Sequence, residues 1–72
     1  MWTTETINGY TCYIKHFEEG SEYGINGGRI SKLTIRKVGE SRDLYHYDRG
    51  LDVDCANAEV KAVYEIILSK YN

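Results

Sequence analysis

The sequence predicts an α+β fold: a four-stranded antiparallel meander with one C-terminal helix packed on one face (ββββα). Three observations carry this reading. Asn8-Gly9, the strongest short hairpin signal there is, sits between two β-prone segments. Arg29 to Val38 and Asp43 to Tyr47 alternate apolar and polar residues around a turn at Val38-Gly39-Glu40-Ser41. From Ala58 to Tyr71, Val60, Val63, Ile66, Ile67 and Tyr71 recur at three- and four-residue spacing, as in an amphipathic helix.

Taken in order, Trp2 to Ile7 forms the first strand and Tyr10 to Phe17 the second. Strand side chains alternate, so Tyr10, Cys12, Ile14 and His16 share one face, the better core candidate, and Thr11, Tyr13, Lys15 and Phe17 the other. Glu18 to Gly28 has neither period and carries Gly20, Gly24, Gly27 and Gly28, so it reads as a loop, of a length that usually serves function. The third strand points Leu33 and Ile35 inward and Lys32, Thr34 and Arg36 outward; the fourth sets Tyr45 and Tyr47 on one side. Asp48-Arg49-Gly50 breaks the pattern, and Asp52, Asp54 or Asn57 offers an N-cap for the helix. Burying five large helix side chains, at roughly 1.5–3 kcal/mol each, closes the core.

With 72 residues the chain is a single domain, 1–72, too small for a cleft between two lobes. Its 42% hydrophobic and 28% charged residues suit a soluble globular fold, and no apolar run approaches the roughly 20 residues of a membrane span. The polar, strand-like start has no signal-peptide pattern, and two separated cysteines make no disulfide scaffold, so the expected location is the cytoplasm. A formal charge of −2 argues against a general nucleic-acid coat protein. The charge is uneven, however: Arg29, Lys32, Arg36, Lys37 and Arg42 cluster against Glu40 alone, while acids gather at Glu18, Glu19 and Glu22 and at Asp48, Asp52 and Asp54. Such a dipolar surface suits a specific partner.

Few motifs carry chemistry. Cys12, His16, His46 and Cys55 lack the close ligand pairs of zinc sites, and on one strand Cys12 and His16 lie about 13 Å apart. A Cys55–His46 pair has a helix start in its favour and nearby acids against it. Asp48/Asp52 and Glu18/Glu19 match no calcium-loop spacing. The residues therefore predict no enzyme, no metal and no cofactor. Gly27, Gly28, Arg29 and Lys32 could form a phosphate nest, although a strand follows them and the named phosphate motifs open a helix; the alternative is a wide turn that needs positive φ. Tyr45, Tyr47, Tyr13 and Phe17, interleaved with Lys15, Lys32 and Arg36, are expected to line the sheet face opposite the helix, as protein anchors or base-stacking platforms, unless a homodimer covers that face.

The segments "WTTETINGY", "SEYGINGGRISKL" and "YDRGLD", with a helix ending "YN", resemble a family of small uncharacterised proteins carried by phages, prophages and mobile elements of Firmicutes. The likeness spans nearly the whole chain and rests on Ser21, Glu22, Tyr23, Gly24, Ile25, Gly28, Arg29, Ile30, Ser31, Lys32 and Leu33, and on Tyr47, Asp48, Arg49, Gly50 and Asp52. Leu51 stands where that pattern often has Trp. The resemblance implies an accessory protein that binds and blocks a host defence effector, in the manner of anti-CRISPR proteins.

Together these readings give an expected binding surface of Glu22, Tyr23, Gly28, Arg29, Lys32, Arg36, Tyr45, Tyr47, Asp48 and Arg49. Glu22, Tyr23, Arg29, Asp48 and Arg49 are expected to meet in one polar cluster at one end of the sheet, as a binding site or as ion pairs pinning the loop. The expected partner is a host defence protein or ribonucleoprotein. The alternatives are a small phosphorylated nucleotide or, more weakly, single-stranded nucleic acid.

Overall fold

A computed structural model describes residues 1–72. Five strands, β1 (Trp2–Ile7), β2 (Tyr10–His16), β3 (Ile30–Lys37), β4 (Tyr45–Asp48) and β5 (Leu51–Val53), precede one helix, α1 (Ala58–Tyr71). The strands pair antiparallel in chain order, so the sheet is the expected meander with one strand more than the sequence suggested. The additional strand arises because Arg49, at φ 56, turns the chain back at the Asp48-Arg49-Gly50 break. Three residues are too few to show a period in the sequence. β4 opens at Tyr45 rather than Asp43, whose carboxylate is instead held by Arg36 Nε at 2.7 Å.

The β1–β2 hairpin turns on Asn8 and Gly9, both at positive φ, which matches the twist of the flanking strands. The core lies between the sheet and α1: Tyr10, Cys12 and Ile14 from β2, Ile30, Leu33 and Ile35 from β3, Tyr45 from β4, and Val60, Val63 and Ile67 from the helix. Alternation puts Tyr10, Cys12 and Ile14 of β2 and Leu33 and Ile35 of β3 on one side, as expected. The register shift that leaves Ser31 unpaired between Lys32 and Ile30 brings Ile30 to that side too, while His16, expected with them, is only half-buried. Ile66 departs from the expected stripe and is 38% exposed. Successive residues differ by about 100° around a helix, so Tyr64 and Leu68, beside Val63 and Ile67, flank the core in its place.

Asn57 caps α1, its side-chain oxygen accepting from the Val60 amide at 2.9 Å. Glu59 in the first turn accepts from the Tyr10 hydroxyl at 2.9 Å, and Glu5 of β1 takes both Lys70 and the Tyr71 hydroxyl at the other end. The helix is therefore tied to the sheet at both ends. No helix is long and apolar enough to cross a membrane.

Between β2 and β3 the chain folds tightly on itself around a 3-10 turn at Ile25–Gly27. A Cβ on Gly24 would lie 1.9 Å from the Gly28 carbonyl oxygen, so only glycine fits there. Asn72 locks the far side of this loop, donating to the Ile25 carbonyl and accepting from the Ile30 amide, both at 3.0 Å.

Candidate functional site

Cross-strand neighbours share a face, so the strand register fixes what the uncovered side of the sheet presents. One row runs Trp2, Lys15, Lys32, Asp48 across four strands, and the next runs Thr4, Tyr13, Thr34, His46. Trp2 is 60% exposed, Phe17 48% and Tyr13 37%. Lys15 Nζ lies 5.9 Å from the Trp2 ring centre and 5.6 Å from that of Phe17, and the Arg36 guanidinium lies 5.6 Å from that of Tyr13. These are cation–π distances, and the aromatic faces hold the cations against the sheet. Lys32 and Arg36 are answered by Asp48 at 3.6 Å and Asp43 at 2.7 Å. Lys15 has no acidic partner, and its charge is offered outward.

Where the glycine loop crosses the end of this face, a cleft of about 270 Å³ opens among Lys15, Phe17, Ser21, Tyr23, Lys32 and Arg49. Tyr23, Lys32, Asp48 and Arg49 meet at this end, with Arg49 Nε 3.6 Å from Asp48 and the Arg49 amide donating to the Ser31 carbonyl at 2.8 Å. The Tyr23 carbonyl accepts from the Tyr47 hydroxyl at 2.9 Å, which fastens the loop to β4.

Other expected members lie elsewhere. Glu22 is exposed and forms no ion pair. Arg29 lines a separate hollow with Met1, His16, Phe17 and Glu18, because the bulge between Lys15 and His16 shifts the register before β3 begins. Gly28 contributes closeness: a Cβ there would lie 2.3 Å from the Asn72 amide nitrogen. The amides of Gly27 and Gly28 donate to the Gly24 and Ile25 carbonyls, so both are engaged within the loop. Tyr45 and Tyr47 belong to the helix side of the sheet, not the open side, because they pair with Ile35 and Leu33, both in the core. Tyr45 stacks 4.9 Å from Tyr64, and its burial pushes the phenol pKa far up.

Trp2 is the residue that the reading of the sequence left out of the site. Its signal was present: counting outward from the Asn8-Gly9 turn, where Ile7 faces Tyr10, sets Trp2 opposite Lys15 and on the side of Tyr13. The thiols lend themselves poorly to nucleophilic chemistry. Burial raises the Cys12 pKa to about 11, and burial with Asp54 nearby raises that of Cys55.

The fold and this surface define a class: a small α+β domain whose sheet is covered by a helix on one side and presents cations among aromatics on the other. Residues 1–72 match the family described as a domain of unknown function (DUF7678), and the chain belongs to that family. No curated protein and no solved structure matches the chain.

Proposed function

We propose that this chain is a non-enzymatic binding protein that occludes an acidic surface on a macromolecular partner with the open side of its sheet. The observation that carries the reading is Lys15, unpaired and held between the exposed rings of Trp2 and Phe17, with Tyr13 under Arg36 beside it. Exposed aromatics of low conformational entropy around a cation are the usual anchors of protein interfaces. The surrounding Lys32–Asp48 and Arg36–Asp43 pairs keep the rim polar.

The resemblance to phage and prophage proteins directs the search for that partner toward a host defence effector, protein or ribonucleoprotein, in the cytoplasm of the host cell. A small-nucleotide site in the glycine loop draws less support, since the Gly27 and Gly28 amides are engaged internally and Arg29 and Lys32 line different hollows. Single-stranded nucleic acid would use the same rings, and its binding would fall steeply with salt.

The test is phage plating on bacteria that carry nuclease-based defence systems, with the chain expressed in the cell. Wild type is expected to restore plating on at least one of them. Lys15→Glu with Phe17→Ala, confirmed folded by circular dichroism, is expected to lose that restoration. Full restoration by the folded double variant would remove the open face from the account, and no restoration by wild type on any system would remove the defence effector.

A further inference from the structure

The two edges of this sheet are guarded unequally. β5 is three residues long, carries Asp52 with Asp54 just beyond it, and joins β4 through an irregular register, all of which discourage another strand from pairing. β1 has six residues, Trp-Thr-Thr-Glu-Thr-Ile, with no lysine, no proline and a regular register along its whole length. Its single charge, Glu5, is turned to the helix side and held by Lys70 and Tyr71. By the usual devices of edge protection, β1 is bare.

Its free hydrogen-bonding groups can be assigned. Met1 and His16 exchange both backbone bonds, at 3.0 and 2.9 Å. In an antiparallel ladder such pairs alternate with pairs that exchange none, so Thr3, Glu5 and Ile7 also point their amides and carbonyls at β2. The amides and carbonyls of Trp2, Thr4 and Thr6 therefore face outward along the edge.

We propose that β1 pairs antiparallel with β1 of a second copy of this chain, with Thr4 on the two-fold axis, joining two sheets into one. The register follows from four requirements. Opposed residues must share a face, which excludes any slip by one residue. The outward groups must meet one another, which pairs Trp2 with Thr6 of the second copy and Thr4 with its own equivalent, each exchanging both bonds. Like charges must not oppose and no outward residue should be left over: a slip by two residues one way would set Glu5 against Glu5, and by two the other way would leave Thr6 without a partner. This register instead sets Glu5 against Thr3 and Met1 against Ile7, and pairs all three outward residues. The axis stands perpendicular to the sheet, so both helices lie on one side and the two open faces become continuous. Because α1 packs over β2 and β3, its backbone leaves the β1 edge clear. This contact is built from backbone groups and does not depend on the proposed function.

The test is light scattering coupled to size exclusion, and sedimentation velocity, on wild type and Thr4→Pro at about 100 μM, where a dimer of micromolar affinity is nearly full. Proline is tolerated on an edge strand when its missing amide faces outward, so this variant leaves the β1–β2 ladder intact. Wild type is expected at twice the chain mass of 8.3 kDa, and Thr4→Pro at the single mass. Hydrogen exchange on wild type gives a second reading that requires no variant: the Thr4 and Thr6 amides are expected to exchange at least tenfold more slowly at high than at low protein concentration. A monomeric wild type, a Thr4→Pro variant that stays dimeric, or edge amides with no dependence on concentration would each overturn the proposal.

Discussion

Gly24 shows how a single atom sets the shape of the loop that borders the candidate face. A methyl at that position would stand 1.9 Å from the Gly28 carbonyl oxygen, and backbone on both sides cannot retreat cheaply. Gly50 has nothing within 4 Å of its hypothetical Cβ. We expect Gly24→Ala to cost about 1–3 kcal/mol through overpacking, and Gly50→Ala to stay within about 0.5 kcal/mol of wild type. Thermal unfolding reads the contrast, since each kcal/mol moves the midpoint of a domain this small by about 4–8 °C. Equal midpoints would show that the loop does not pack as described. The glycines were legible in the sequence as a loop but not as a particular fold of it, because what they exclude is a contact with Gly28 and Asn72, invisible until the chain closes. For the same reason Gly28 could be read as a phosphate-binding residue from the sequence, whereas in the structure it makes room for Asn72.

At the scale of elements, four of the five strands and the helix were readable because each declares its own period, which the three residues of β5 are too few to do. The α1 bounds and the inward Tyr10, Cys12, Ile14, Leu33 and Ile35 follow from local pattern alone, whereas the pattern left Asn57 as one of three possible caps. Which face Tyr45 and Tyr47 occupy does not: it depends on the register of β4 against β3, and a register is a property of two strands. The joins between elements carry the pH response. Burial, followed by the N-terminal amine and Arg29, lowers the pKa of His16, whose ring also meets Thr3 Oγ1 at 2.9 Å and the Tyr71 ring at 5.0 Å. The folded state thus favours neutral His16, and the stability this gives is present above the ordinary value of 6.5 and lost as pH falls through the lowered one. Glu5, lowered from 4.5 chiefly by the bond from Lys70 and then by that from Tyr71, adds stability above 4.5 that is lost as pH falls further. Urea unfolding is therefore expected to weaken first below about pH 6.5 and again below about pH 4.5. His16→Gln should flatten the first step and leave the second; an unchanged first step would remove His16 as its cause.

The whole molecule divides its labour between two sides of one sheet. A formal charge of −2 hides a side on which Trp2, Tyr13 and Phe17 surround Lys15, with Lys32 and Arg36 paired at its rim. The other side is spent on the core and on α1. That an aromatic, basic face exists was legible from the interleaving of Tyr13, Lys15, Lys32 and Arg36, and the hairpin count could have added Trp2. That Tyr45 and Tyr47 turn inward was not legible, since it rests on the β3–β4 register. The claim that this side binds is tested most directly by photo-crosslinking in the host cell. A benzophenone side chain would be placed at Tyr13 on the open face or at Ile66 on the outer face of the helix. These two positions have matched exposures of 37% and 38%, so accessibility alone favours neither. The account predicts a partner adduct from position 13, abolished by Lys15→Glu, and none from position 66. Adducts from position 66 alone, or from both alike, would contradict it.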